Sequence, residues 1–167
     1  DIENKRAMSI PDWAYRDVLF MLIHYSIASF ELLHRKLTAS EKEEIFNVFY
    51  RVGDRMGLKQ LPATFQEWLI AHQQHLDQDL EKSKYTIDLY QQYKKHLGAF
   101  RYKILIEAQI MVVPPSVKEL LNLGKVSLFA PVLPLYKLSR TLKADWILKE
   151  LILPEKYKAQ IKALDKP

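Results

Sequence analysis

Val18–Leu33 is the most apolar stretch of the chain, and apolar residues fall on nearly every face of the helix that it would form. A helix that is hydrophobic all round belongs in the interior of a protein or in a membrane. The stretch is shorter than the ~20 apolar residues that a bilayer requires, and His24, Ser26 and Ser29 interrupt it. We therefore predict a buried central helix, with one histidine near its middle, around which the other helices pack.

Helix start and stop signals organise the rest of the chain. Pro11 opens the first helix, which is predicted to run to about Lys36, because proline is tolerated in the first helical turn. A serine or threonine followed three residues later by glutamate is typical of a capping box at a helix start. This pattern occurs at Ser40 with Glu43, at Thr64 with Glu67 and at Ser116 with Glu119. Predicted helix ends fall at Gly57, Gly98, Pro114–Pro115 and Gly124.

The remaining segments are assigned in the same way. A tyrosine-rich helix is predicted to begin at a cap formed by Ser83 or Thr86. The apolar segment Val126–Leu135 contains two prolines, so we expect a loop laid on the core rather than a helix. A helix from Tyr136 to Leu153 and a short basic tail helix after Pro154 complete the chain.

Length and composition agree with this arrangement. A chain of 167 residues is long enough for one domain with its own core. Only four glycines occur, while Leu, Ala, Lys, Glu and Gln are abundant, which favours helices over sheets. We predict an all-α fold: a single helical domain over residues 1–167, with about seven or eight helices around the buried central helix.

Several kinds of chemistry are excluded or disfavoured by what the chain lacks. The absence of cysteine excludes a disulfide scaffold, a thiolate metal site and a cysteine nucleophile, and it fits a reducing compartment. No glycine-rich phosphate loop, serine elbow or HExxH motif occurs, so an ordinary hydrolase or nucleotide-binding enzyme is disfavoured. The chain opens on Asp1 without a targeting pattern, as a processed protein or a piece of a longer one would. We predict a cytoplasmic location, with membrane association as the alternative.

Charge divides the chain into two unequal halves. From Lys82 onward there are 16 Lys and Arg against 7 Asp and Glu, whereas the residues before it carry 9 against 13. A basic half can bind an acidic partner such as an anionic membrane surface. The simpler interpretation is a set of solvated lysines on amphipathic helices.

Tyrosines and basic residues alternate in this basic half, a combination that also occurs in nucleic-acid-binding proteins. The residues are Tyr85, Tyr93, Lys94, Lys95, Arg101, Tyr102 and Lys103. At helical spacing the tyrosines are expected to point mostly inward and the lysines outward. No nucleic-acid-binding motif accompanies them, so we predict no nucleic-acid partner.

Two sets of residues that contain histidine are candidates for a functional site. His72, His75 and Asp79 fall on neighbouring turns of one helix face and could bind a metal ion. The alternative is that His72 borders the core beside Trp68, while His75 and Asp79 form a surface pair. We favour this alternative and predict no metal site.

His24 is the second candidate, since its sequence neighbours are apolar in both directions. A neutral imidazole in such surroundings could ligate haem iron, with its other nitrogen oriented by a neighbouring group. Asp17 and Glu31 lie seven residues to either side and could supply that group. The alternative is a core histidine that is satisfied by a backbone carbonyl or a carboxylate.

Three sequence stretches together resemble a known family of haem-dependent oxygenases. The first, LFMLIHYSIASFELLHRKLTASEKE, is a long apolar helix followed by an arginine, a Leu-Thr turn and an acidic helix start. The second matches a pattern of the form GxxMGxxxLPxT. Its matching residues are Gly53, Met56, Gly57, Leu61, Pro62 and Thr64. A weaker match is the proline-broken apolar segment with Arg140 after it. The family contains the bacterial latex-clearing proteins (rubber oxygenases) and the fungal endoplasmic-reticulum-bound oxygenase of mycophenolic acid biosynthesis.

The resemblance implies a globin-like fold, a b-type haem and oxidative cleavage of carbon–carbon double bonds in a hydrophobic, isoprenoid-like small molecule. The family's haem-ligating histidine would precede Ser9–Ile10, and residues 1–12 contain no histidine. The resemblance therefore implies either the C-terminal part of a longer domain or a relative that has lost this ligand. Some bacterial members carry a histidine at the position of His24. His24 and Arg16 are then the residues expected to face the cofactor cavity, with His24 as a distal or supporting group.

A non-catalytic helical module is the alternative function. It would bind a protein partner or an anionic membrane surface through the basic half and the apolar segment Val126–Leu135.

Overall fold

The computed structural model describes residues 10–141, and these residues fold into α-helices joined by short connections. The helices are α1 Asp12–Leu33, α2 Ala39–Arg55, α3 Phe65–Gln78, α4 Lys84–Val112, α5 Pro115–Leu121 and α6 Leu133–Thr141. No β-strand occurs in this range, so the all-α class is confirmed, but it holds six helices and not seven or eight. The predicted helix Tyr136–Leu153 begins three residues early, at Leu133, so the last three residues of the predicted loop are helical, and it is described only to Thr141. The predicted tail helix after Pro154 lies outside the described residues.

Helix α1 is the element that the others contact, since α2, α3 and α4 all pack against it. Only one of its faces is buried, through Leu19, Phe20 and Ile23. Val18 and Leu22, on other faces, are 51% and 48% exposed. The prediction of a helix buried on every side is therefore wrong for its first half, whereas residues 24–33 are all partly buried. None of the helices in this range has both the length and the hydrophobicity needed to cross a membrane.

The core forms where α1, α2 and α3 meet. Phe20 and Ile23 of α1 pack with Phe46 of α2 and with Phe65 and Trp68 of α3. The Trp68 ring stacks on Phe65 with centroids 5.3 Å apart and meets the edge of Phe20 at 6.5 Å. Burying each such side chain contributes about 1.5–3 kcal/mol. The periodic apolar residues of three helices thus converge on one aromatic cluster.

A capping box starts α2, two residues before the predicted one. The Thr38 hydroxyl accepts from the backbone N–H of Glu41, and the Glu41 carboxylate accepts from the backbone N–H of Thr38. Arg35 forms two hydrogen bonds to the same carboxylate. The prediction that Ser40 and Glu43 form this box is wrong. Both pairs fit the sequence pattern, and the added contact with Arg35 favours Glu41.

The other predicted helix starts have mixed outcomes. Thr64 caps α3 as predicted, since its hydroxyl accepts from the backbone N–H of Glu67 at 3.2 Å. The predicted capping box is incomplete, because the Glu67 carboxylate accepts from the backbone N–H of Ala63 and not of Thr64. Ser83 caps α4 by accepting from the backbone N–H of Thr86.

The capping box predicted at Ser116 and Glu119 is wrong. Helix α5 begins one residue earlier, at Pro115, and its N-cap residue Pro114 makes no side-chain hydrogen bond. Proline at the first position needs no cap for its own nitrogen, because it has no N–H to satisfy.

Gly98 bends α4 sharply. Its backbone angles are φ 72° and ψ 170°, which lie outside the helical region, whereas the residues around it are helical. The Tyr90 hydroxyl donates to Gln109 Oε1 at 2.9 Å, although the two residues are 19 positions apart. A straight helix would separate them by about 28 Å, so the two halves of α4 fold back beside each other. The predicted break at Gly98 is therefore present, but with no loop between the halves.

The segment Val126–Leu135 does not lie on the core as predicted. Val126 is 77% exposed, and most apolar side chains of the segment project into solvent. It is held instead by a buried polar contact: the Glu107 carboxylate accepts from Ser127 Oγ at 2.9 Å and from Leu128 N at 2.6 Å.

The inward orientation expected for the tyrosines is also wrong for Tyr85, which is exposed.

Gly53 allows α1 and α2 to approach closely. A Cβ atom at this position would stand 2.6 Å from Leu19 Cδ2 and 3.1 Å from Leu61 Cδ1. Leu19 is buried, so it has little room to move away. Gly57, four residues later, has φ +76° and ends the helix, a conformation that glycine adopts without strain. Both glycines of the GxxMG pattern thus have a structural role in this chain.

We expect Gly53→Ala to lower the free energy of unfolding by up to about 2 kcal/mol, because an overpacking cost of roughly 1–3 kcal/mol is only partly offset by the ~1 kcal/mol gained in helix propensity. Urea unfolding followed by circular dichroism measures this change. Gly124→Ala is the matched control, since its added Cβ would lie an ordinary 3.5 Å from Ile110 Cδ1. Equal stability of the two variants would contradict close packing at Gly53.

Candidate functional site

A small cavity of about 90 Å³ lies between α1, α3 and the start of α5. Three histidines line it: His24 from α1, and His72 and His75 from α3. The carboxylates of Asp17 and Asp79 stand at the same cavity, and most of its other lining residues are apolar or aromatic. It is the place where the histidines singled out from sequence come together.

Helical periodicity explains how two of these histidines meet. His24 follows the buried Phe20 by four residues on α1, and His72 follows the buried Trp68 by four residues on α3. Residues four apart share a helix face, so the packing of Phe20 against Trp68 also brings the two imidazoles together. Their ring centroids are 5.0 Å apart and their planes are tilted by 40°.

His72 is fixed by the core. Its side chain is only 8% exposed, and its ring stacks on Trp68 with centroids 5.2 Å apart and planes within 8°. The prediction that His72 borders the core beside Trp68 is confirmed. Its position against His24 was not predicted, because no sequence pattern shows which faces of α1 and α3 are in contact.

The Nε2 atoms of both His24 and His72 are buried and have no hydrogen-bond partner within the described residues. A buried polar atom without a partner costs about 1–3 kcal/mol, so a polar group that reached either nitrogen would offset this cost. The backbone carbonyl of Val112, at the end of α4, accepts a hydrogen bond from His24. Of the alternatives for the group that orients His24, the structure favours this carbonyl over Asp17 or Glu31.

Both imidazoles are kept neutral. Burial lowers the pKa of His24, and the hydrogen bond to Val112 opposes this only in part. Burial also lowers the pKa of His72, to about 4, assisted by repulsion from His24 and His75. A neutral imidazole nitrogen can accept a proton or a hydrogen bond, or ligate a metal. At neutral pH the cavity therefore presents two uncharged imidazole nitrogens.

His75 makes a different set of contacts at the cavity edge. Its Nδ1 atom lies 3.0 Å from Asp79 Oδ2 on the same helix and 2.7 Å from Asp17 Oδ1 on α1. The predicted proximity of His75 to Asp79 is thus confirmed and extended to a second helix, although His75 Nδ1 forms no hydrogen bond to either carboxylate. Asp17, proposed as a partner of His24, is a partner of His75 instead. Glu31 binds Lys36 and Lys42 and does not orient His24.

The contacts also separate the three residues of the metal hypothesis. His75 and Asp79 pair with each other, while His72 turns toward His24 and Trp68. Within residues 10–141 no three His, Cys, Asp or Glu side chains are placed to hold a metal ion.

Arg16 does not reach His24. Its guanidinium donates to Gln60 Oε1 at 3.0 Å, linking α1 to the connection before α3. Arg16 is not among the described residues that line the His24 cavity. The two residues expected to face one cofactor cavity are therefore not brought together in this part of the chain.

A haem at this cavity would need a nitrogen donor for its iron and enough volume for its porphyrin. The unpartnered Nε2 of His24 is a suitable nitrogen donor for haem iron. The volume of about 90 Å³ is far below the ~300–1,000 Å³ typical of organic ligand pockets. A porphyrin therefore does not fit between these helices as they are packed.

The low pKa of His72 predicts a loss of stability in acid. An unfolded histidine titrates near pH 6.5, so between about pH 6.5 and 4 the unfolded chain binds a proton that the folded chain excludes. The free energy of unfolding should therefore fall as the pH falls through this window, by on the order of 2–3 kcal/mol. Urea unfolding at a series of pH values measures the slope.

His72→Phe should flatten this pH dependence, since phenylalanine can stack on Trp68 but cannot titrate. His96→Gln, at an exposed position of α4, is the control and should keep the wild-type slope. A wild-type slope in the His72→Phe variant would contradict the assignment of the acid sensitivity to His72.

Comparisons with protein-family models, with curated proteins and with solved structures found no match to this chain. The resemblance to the oxygenase family consequently depends on the residues of the three sequence stretches alone. Three of those residues have a clear structural role here: Gly53 in helix packing, Gly57 at a helix end and Thr64 as a helix cap.

Proposed function

We propose that this chain is part of an oxygenase-like domain that resembles the latex-clearing protein family and acts on a hydrophobic, isoprenoid-like small molecule. In this proposal haem b is the cofactor, the fold is globin-like, and His24 lies in the wall of the reaction cavity. The observation that carries the proposal is that His24 lines a mostly apolar cavity and that its buried Nε2 atom has no hydrogen-bond partner among the described residues.

The electrostatics of the cavity support an uncharged reaction environment. Burial lowers the pKa of both His24 and His72, so neither imidazole carries a charge at neutral pH. Apolar neighbours such as Phe20 and Met21 complete the walls. When bound, haem would supply the oxygen chemistry that side chains lack. The chain's own contribution is to hold His24 through Val112 and to present its Nε2 atom to the cavity.

The cavity beside His24 and His72 is too small for haem as the helices are packed. Space for a porphyrin requires α1 and α3 to lie further apart near His24 and His72 than they do here, where the two rings are 5.0 Å apart. Binding of haem should therefore separate these rings, and it competes with the stacking of His72 on Trp68.

Haemin titration tests the proposal directly. Because the resemblance places the haem-ligating histidine before Ser9, the test uses the longer protein that the proposal implies. With haemin this protein should give a saturable Soret band, and His24→Ala should weaken haemin binding by about tenfold, the loss typical of residues that support a metal ligand. His96→Ala is the matched control, because His96 is exposed on α4. Absence of a Soret band with the longer wild-type protein would contradict the proposal, as would equal binding by the two alanine variants.

A second candidate function is peripheral binding to an anionic membrane surface. It is favoured by exposed apolar side chains on both sides of the buried Ser127, with Lys125 beside them. These side chains are Val126, Leu128, Leu135 and Leu138. The excess of Lys and Arg after Lys82 would add electrostatic attraction to acidic lipids.

Co-sedimentation with vesicles distinguishes this function from the first. We expect binding to phosphatidylserine-containing vesicles, loss of binding at high salt, and weak binding to purely zwitterionic vesicles. Val126→Glu should reduce binding because it places a negative charge on the exposed apolar segment. Salt-insensitive binding, or no binding to anionic vesicles, would contradict a membrane role.

A further inference from the structure

A second and much larger concavity lies away from the histidines, between the two halves of α4 and the end of α5. Its volume is about 590 Å³, within the ~300–1,000 Å³ typical of sites for small organic ligands. The bend at Gly98 creates it, since the two halves of α4 can enclose a groove only by folding back on each other. We call this concavity the α4 groove.

The walls of the α4 groove are mainly apolar. Ile87 projects from the first half of α4 and Ile106 from the second, while Leu123 closes the side next to α5. Tyr90 lines the groove between them, and its hydroxyl is already satisfied by Gln109. A surface of this kind binds hydrocarbon and offers few hydrogen bonds to it.

The charge of the α4 groove has a single sign. Lys82 and Lys94 line it, and no Asp or Glu is among the described residues that do so. Neither lysine forms an ion pair within residues 10–141. Lys94 and Tyr102 lie four residues to either side of Gly98, so an ammonium group and a phenol both line the bend end. An ammonium and a hydroxyl can both donate to a carboxylate.

We propose that the α4 groove binds a single-chain anionic amphiphile, a fatty acid or a similar carboxylate. The hydrocarbon chain lies along Ile87 and Ile106, and the carboxylate lies at the bend, where Lys94 and Tyr102 can donate to it. This site is separate from the histidine cavity and does not depend on haem.

Shape and charge together favour this occupant over other anionic partners. A concavity between two antiparallel helical halves suits one narrow hydrocarbon chain, whereas a membrane surface would engage exposed side chains. A neutral hydrocarbon would gain nothing from Lys94. The groove therefore takes the amphiphile as a monomer from solution. The affinity for the amphiphile depends on both its hydrocarbon chain and its negative charge.

Fluorescence titration with cis-parinaric acid, at concentrations below its micelle range and without vesicles, tests the proposal. We expect saturable binding that palmitate displaces and that methyl palmitate displaces at least about fivefold less well, since the ester lacks the charge that pairs with Lys94. Lys94→Gln should weaken binding by a similar factor. Lys95→Gln, the neighbouring lysine outside the groove, should leave binding unchanged.

A second matched pair tests the apolar wall with little risk to folding. Ile87 and Leu89 are 49% and 46% exposed on the same half of α4, but only Ile87 is a groove residue. Ile87→Gln should weaken binding several-fold and Leu89→Gln should not. The proposal is overturned if binding is absent without vesicles, if palmitate and its ester compete equally, or if the members of either matched pair behave alike.

Discussion

The described structure depends on the burial of one face of α1 against the aromatic side chains of α2 and α3. Phe20 and Ile23 enter a cluster whose centre is Trp68, and this contact fixes the rotation of α1 about its own axis. Once that rotation is set, His24 must lie one turn further along the same face. The candidate site is therefore a direct consequence of core packing, since the residues that stabilise the fold also determine which imidazoles meet.

Close approach of the helices requires space as well as attraction. Gly53 provides it between α1 and α2, where any larger residue would collide with Leu19 and Leu61. The same packing leaves only a small cavity around the neutral imidazoles of His24 and His72. Burial makes these nitrogens chemically available, but it also limits the size of what can reach them. Any cofactor at this place has to displace favourable aromatic contacts.

The second half of the described chain is held together by different interactions. Gly98 folds α4 back on itself, and a buried carboxylate, Glu107, holds the following segment through Ser127 and Leu128. Polar contacts and a single permissive backbone position thus replace a large apolar core here. The result is a groove with lysines at its lining and many exposed apolar side chains, a surface suited to binding more than to packing.

The helical class, the bend at Gly98, the cap at Thr64 and the pairing of His75 with Asp79 were all predictable, because each depends on residues close together in the sequence. Local patterns did not show that α1 has an exposed face, or that Glu107 rather than the core holds Val126–Leu135. Nor did they show the meeting of His24 with His72. These features depend on which faces of distant helices come into contact. That choice is made by the shapes of buried side chains in three dimensions, which no spacing along the chain encodes.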